Sequence, residues 1–424
     1  MILYRTHILG RTGLFTVRID AEGTIADVEP FRGIVPSHAL SAWKSHAQEP
    51  EHWDLEKGLL LPGMVDAHTH LDKALTLPFT TNTSGTLEEA ISRFKEYQPK
   101  LTEEDVLTRA VMVAQQASRY GTTTLRTHLN SAYPDPNALK VVLNGMQEAQ
   151  RILRRQMDLQ LVLMCPTIED DQWASAVLPA MAPYLAAIGG APALARDPNR
   201  NLTWILDWAE RLNLAVDLHI DETLDPLSQT LNTLAEQVPA RGMQGLAIAG
   251  HCVSLGAMSL LEASAIADKV AQANIGVITL PQTNLYLQGR EDETSPRRGL
   301  TRISLLNEAG VQVASASDNI QDAFHPFGNG DLLLVALITA YGSHFGESSA
   351  DTLLKMVSEI PGKMIVNTNY GIHAGQPADL VALECPTALS GLQTLLAGRR
   401  VWKRGRLVNT TLLAETPFGT TYSQ

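Results

Sequence analysis

Cysteine is scarce: Cys165, Cys252 and Cys385 lie far apart in the chain. An odd number without metal-like spacing implies no disulfide framework and a reducing home, so a cytoplasmic location is expected. Basic residues are also outnumbered, 33 Lys and Arg against 45 Asp and Glu, for a formal net charge of −12. Neutralising phosphates needs clustered cations, so no nucleic-acid partner is expected. The one basic run, GRRVWKRGR (398–406), reads as a solvated hairpin. No window reaches the ~18–20 consecutive apolar residues of a membrane span. MILYRTHILG lacks a secretory leader pattern, and no membrane association is expected. H-E-x-x-H, G-x-S-x-G, the P-loop and the H-x-E…P-C-x-x-C pattern of nucleic-acid zinc deaminases are all absent.

What remains is a soluble globular composition, 45% hydrophobic and 18% charged, over 424 residues. That length predicts a large domain with a smaller one. Both ends of the chain read as short β units with glycine turns, too short to stand alone. Residues 1–60 and 370–424 are therefore expected to pair into one composite β-sandwich domain beside the body formed by 61–369.

Within that body, eight short apolar runs alternate with stretches of helical periodicity. They are GMVDAHTH (63–70), TTTLRTH (122–128), LQLVLMC (159–165), LAAIGG (185–190), LAVDLH (214–219), GLAIAGH (245–251), IGVITLP (275–281) and VQVASASD (311–318). Strand–helix alternation repeated eight times predicts an α/β fold, the (β/α)8 TIM barrel.

Polar residues fall at the ends of those runs: His68 and His70, His128, His219, His251 and Asp318. Side chains two apart on a strand share a side, so His68 and His70 could grip one ion. The active site of this fold lies at the C-terminal ends of its strands. His68, His70, His219 and Asp318 offer three imidazoles and a carboxylate, a set suited to one divalent ion, Zn or Fe. Water on such an ion has its pKa lowered to about 7. Glu222, three residues beyond His219, would shuttle protons, and His251 would hydrogen-bond or polarise the attacking water.

With these residues in place, the chain resembles the amidohydrolase superfamily and, within it, the cytosine deaminase-like branch. The resemblance runs nearly end to end, through LLLPGMVDAHTHLDK, NTSGTLEEAI, LRTHL, VDLHIDET, NLYLQGRED…PRRGLTRISLLNEAGV, SDNIQDAFHPFGNGDLL and YGIHAGQPADLVAL. It implies one metal on His68, His70, His219 and Asp318, with Glu222 and His251 as acid/base residues. The implied substrate is a small amino-substituted N-heterocycle, attacked by metal hydroxide with release of ammonia. Two departures bear on the ring. Thr167, in CPTIED, stands where cytosine deaminases have a glutamine, and Asn319 follows the metal aspartate where they have a second aspartate. SDNIQDAFHPFGNGDLL is similar to the N-alkyl-ammelide amidohydrolases, which lack the glutamate kept here in HIDE. Thr167, Asn319 and Phe324 are the expected substrate-binding positions. Cyclic-amide hydrolysis or release of an N-alkyl amine is the alternative on the same scaffold, and a non-catalytic barrel runs against the intact ligand set. Strand 4, AAIGGAPAL, has no lysine to bridge two metals. Lys73, in the loop after strand 1, is expected to form an ion pair with Asp72 or another loop acid. The role of His128, and whether the chain self-associates, stay open.

Overall fold

The computed structural model describes residues 1–47, 50–395 and 397–412. Strands from both ends join in one mixed sheet of nine. The N-terminal members are β1 (Ile2–Ile8), β2 (Phe15–Ile19), β3 (Ile25–Pro30), β4 (Leu40–Ser41), β5 (His52–Asp54) and β6 (Leu59–Pro62). Eight parallel strands follow: β7 (Met64–Thr69), β8 (Thr122–Leu129), β9 (Asp158–Met164), β10 (Ala187–Gly189), β11 (Ala215–Ile220), β12 (Ala247–His251), β13 (Gly276–Thr279) and β14 (Val313–Ser315). The chain then returns through β15 (Leu380–Leu383), β16 (Arg399–Lys403) and β17 (Arg406–Thr411). The two terminal segments are stitched where β15 pairs antiparallel with β6. Trp53, Trp402, Leu3 and Ile25 centre a core belonging to this sheet alone. Residues 413–424, part of the expected C-terminal half of this unit, lie outside the described residues.

Each expected barrel run coincides with one barrel strand, and the strands follow in chain order; β8, β9 and β11 each overrun their run by one residue. The barrel closes where β14 meets β7: Asp318 N donates to His68 O (2.9 Å), and Ser317 N donates to Asp66 Oδ1 (3.1 Å). Closing the seam therefore carries Asp318 to the side of His68. Helix α1 (Leu87–Tyr97) covers the mouth, and α2 (Glu103–Tyr120) runs down the wall. Thr102 caps α2 by accepting from Asp105 N, and Gly121 ends it in the left-handed region at φ +113°, which glycine adopts without a Cβ clash. On α2, Arg109 pairs with Asp105 (2.7 Å) and donates to the carbonyls of Asp72 (3.1 Å) and Ala74 (2.7 Å). The loop that follows the two histidines of β7 is thus tied to a helix.

The basic run 398–406 forms the expected hairpin, and Arg404 and Arg406 are solvated as expected, but its other three cations are not. Arg399, Arg400 and Lys403 are 3%, 0% and 1% exposed. Lys403 Nζ donates to Thr123 O (3.0 Å), Asp158 Oδ2 (2.7 Å) and Asp379 Oδ2 (2.6 Å), joining the hairpin to the barrel floor. Arg400 lies over the Trp53 ring, 4.1 Å from its centroid. Burial of these cations is affordable because each meets an acceptor or an aromatic face, which nothing local in the run could reveal.

Candidate active site

The pleat of β7 places His68 and His70 on the same side, both buried. β11 delivers His219, whose Nε2 lies 3.2 Å from His68 Nε2 and 3.0 Å from His70 Nε2. Asp318 Oδ1 is 3.3 Å from His70 Nε2 and 3.8 Å from His68 Nε2. Four donors held about 2.1 Å from a tetrahedral ion stand about 3.4 Å from one another, close to these spacings. Facing Nε2 lone pairs would otherwise repel, and both Asp318 oxygens are buried without a hydrogen-bond partner. This buried His/Asp cluster fits a metal ion.

Electrostatics favour the same use. Burial, reinforced by neighbouring histidines, pushes His68, His128 and His219 well below the usual imidazole range, so their lone pairs stay free. Burial alone would raise the Asp318 carboxyl, but His70 and His251 outweigh it and hold the group below its ordinary value. Asp318 takes a positive φ of +61°, as does His251 at +67°, so the backbone turns sharply at both strand ends.

Glu222 sits just past β11 with its side chain 14% exposed, and its Oε1 is 3.4 Å from His251 Nδ1. Burial drives the Glu222 carboxyl well above the usual carboxylate range, assisted by Asp318. His251 is pushed down to about 4, chiefly by burial. Asn284 Nδ2 donates to His251 Nδ1 (3.1 Å), leaving Nε2 as the ring's proton-bearing atom. The turn bearing Glu222 is shaped by Asp221, whose carboxylate accepts from Thr230 N (3.1 Å), Leu231 N (2.9 Å) and Ser228 Oγ (2.7 Å). Sequence reasoning missed both Asn284 and Asp221. Asn284 lies inside the quoted NLYLQGRED stretch and Asp221 inside HIDET, yet only the folded chain shows what either touches.

A cavity of about 300 Å³ opens above the cluster. Thr167, Asn319 and Phe324 all line it, together with His70, His219, Glu222, His251 and Asp318. The Asn319 amide is turned away to Asp322, donating from Nδ2 to Oδ2 (2.7 Å). His128 lies behind the cluster, fully buried, its ring stacked on His68 at 4.0 Å between centroids and its Nε2 3.5 Å from Asp217 Oδ1. Lys73 departs from expectation. It forms no ion pair with Asp72 or any other acid among the described residues, because Asp72 Oδ2 accepts from Asn130 N (2.9 Å) while the lysine turns to the cavity wall.

The sequence pattern of the Amidohydrolase family matches residues 166–409, and the chain belongs to that family. It is 30% identical over 397 residues to a pterin deaminase of Rhizobium rhizogenes, covering 92% of this chain and 87% of that one. An N-isopropylammelide isopropyl amidohydrolase of Pseudomonas sp. is 27% identical over 342 residues, covering 78% of this chain and 81% of the other. Among solved structures, 5-methylcytosine deaminase from Klebsiella pneumoniae liganded with 5-fluorocytosine superposes with a TM-score of 0.89 at 25% identity, covering 99% of each chain. The protein is thus a hydrolase of carbon–nitrogen bonds, built on a (β/α)8 barrel with a composite terminal sheet.

Proposed function

We propose that this chain is an aminohydrolase that deaminates a small amino-substituted N-heterocycle, using one divalent ion, zinc or iron, held by His68, His70, His219 and Asp318. The observation that carries this reading is the meeting of Glu222 and His251, 3.4 Å apart, beside that four-donor cluster in one open cavity. Such an ion, when bound, lowers the pKa of a coordinated water to about 7 and so supplies a nucleophile at neutral pH. Glu222 is kept protonated by its burial and offers that proton to the ring nitrogen beside the reacting carbon. His251 donates from Nε2 to orient the nucleophile, with Asn284 fixing the ring from the other side. Asp318, held ionised, takes the water's first proton and passes it to the departing amine, while Glu222, left a carboxylate by its own transfer, recovers the second proton from the attacking oxygen as that becomes the keto group. The relatives named above act on rings of this size, which supports the substrate class; Thr167, Asn319 and Phe324 select among such rings.

Glu222→Gln tests the assignment. The variant retains one equivalent of metal and the wild-type melting temperature, while turnover falls by roughly 10²–10⁴-fold, the usual worth of a general acid–base group. Turnover within a few-fold of wild type would remove Glu222 from this role. Alkylamine or a ring-opened product in place of ammonia would move the reading to the N-alkyl or cyclic-amide alternative on the same residues.

A further inference from the structure

Lys73 lines the cavity at 4% exposure. The polar atom within hydrogen-bond distance of its Nζ is Nδ1 of His70, at 2.9 Å. That contact cannot satisfy the ammonium. His70 turns Nε2 to the cluster, so its ring proton sits on Nδ1 and is donated to His128 O (3.2 Å). A nitrogen that donates has no lone pair left to accept. Two phenyl faces also lie near Nζ, Phe94 at 5.5 Å and Phe324 at 5.3 Å. Aromatic faces attract a cation, but they do not accept its N–H bonds as a carboxylate does.

The rest of the cavity wall points the same way. Lys95, exposed at the rim, brings a second ammonium to the same space. The acidic side chains of the lining are Glu222 and Asp318, both assigned to the reaction. This accumulation of cations stands against a chain whose net charge is −12. Nζ approaches His70 on the Nδ1 side, across the imidazole ring from Nε2. Lys73 therefore meets the cavity beside the donor cluster and not at it, at a place a ring substituent can reach.

We propose that Lys73 is a specificity-determining residue that pairs with an anionic oxygen of the substrate, so that the preferred substrates are N-heterocycles carrying a carboxylate or an acidic ring oxo group. This inference rests on the deaminase reading above for its substrates, though not for its binding test. Ammonia release by the metal-loaded full chain is compared on matched aminopteridines, a ring carboxylate against its carboxamide, and on an oxo-aminotriazine against its O-methyl ether. Wild type favours the anionic member of at least one pair by roughly tenfold or more in kcat/KM, and the pair that shows it identifies the source of the oxygen. Lys73→Met collapses that preference, and Lys73→Arg restores part of it. Equal activity on both members of both pairs in wild type would overturn the proposal. So would an equal loss on both members in Lys73→Met, which is the signature of a residue that merely supports His70. Should Lys73→Met not fold, by circular dichroism and metal content, the wild-type preference decides alone. If no ring yields ammonia, the deaminase reading fails and calorimetry with metal-loaded Glu222→Gln still decides: tighter binding of the anionic member supports Lys73's role, and indifference overturns it.

Discussion

The two ends of the barrel treat buried charge in opposite ways. At the floor, Lys403 reaches two carboxylates and a carbonyl at once, and Arg126 pairs with Asp217 at 2.8 Å while donating to Gln160 (2.9 and 2.7 Å). At the mouth, the Nε2 atoms of His68, His70 and His219 crowd one point, and both oxygens of Asp318 are buried beside them without partners. A buried charge costs several kcal/mol unless it is paired. The floor meets that cost with internal partners and so spends its polar groups on joining the two sheets. The mouth leaves donors aimed at a common centre, which is the arrangement an ion needs. Pairing marks structure in this molecule, and convergent unpaired lone pairs mark function.

That contrast can be broken at either end. The largest effect is expected at the mouth. Asp318→Asn, which nearly preserves volume, removes the anionic donor, so metal content by mass spectrometry falls below one equivalent and turnover is lost while the circular dichroism spectrum is kept. A variant that still held a full equivalent would show that the carboxylate is not a ligand. At the floor the sign reverses. Lys403→Met leaves the buried Asp379 without its cation, while Asp158 keeps Arg404, and should cost about 3 kcal/mol of stability, read by denaturant unfolding, with kcat of the folded protein unchanged. A fall in kcat without a fall in stability would erase the distinction between the ends.

His128 lies between the two, stacked on His68 and close to Asp217. His128→Phe keeps the stacking surface and removes the ring nitrogens. Metal affinity, from competition with a chelating dye, should weaken by about 10–100-fold, as for other residues that orient a ligand from behind. Unchanged affinity would leave His128 as packing alone.

How much of this could be read in the sequence follows from the range over which each signal acts. Barrel strands were legible because each is a short apolar run, and the site because its polar residues close those runs: His68 and His70, His219, His251 and Asp318 all came together from strand ends alone. Thr167, Asn319 and Phe324 reached the cavity for a related reason, since loops leaving that end of the barrel have nowhere else to go. Partners distant in sequence were not legible. Lys403 meets Asp158 across 245 residues, so a buried cation looked like one of a solvated series. Lys73 has an acid beside it in the chain, yet Asp72 was already committed to the Asn130 backbone. Asn284 and Asp221 gave no signal of their own, because an amide behind a histidine and a carboxylate under a turn are defined by what they touch.

The most direct test of the central claim is ammonia release by metal-loaded protein across aminopyrimidines, aminopteridines and aminotriazines, each run with and without prior chelation. Ammonia is expected in stoichiometric amounts from at least one ring class, abolished by the chelator and restored by zinc or iron. Silence across the panel from protein holding a full equivalent of metal, or ammonia release that survives its removal, would contradict the claim.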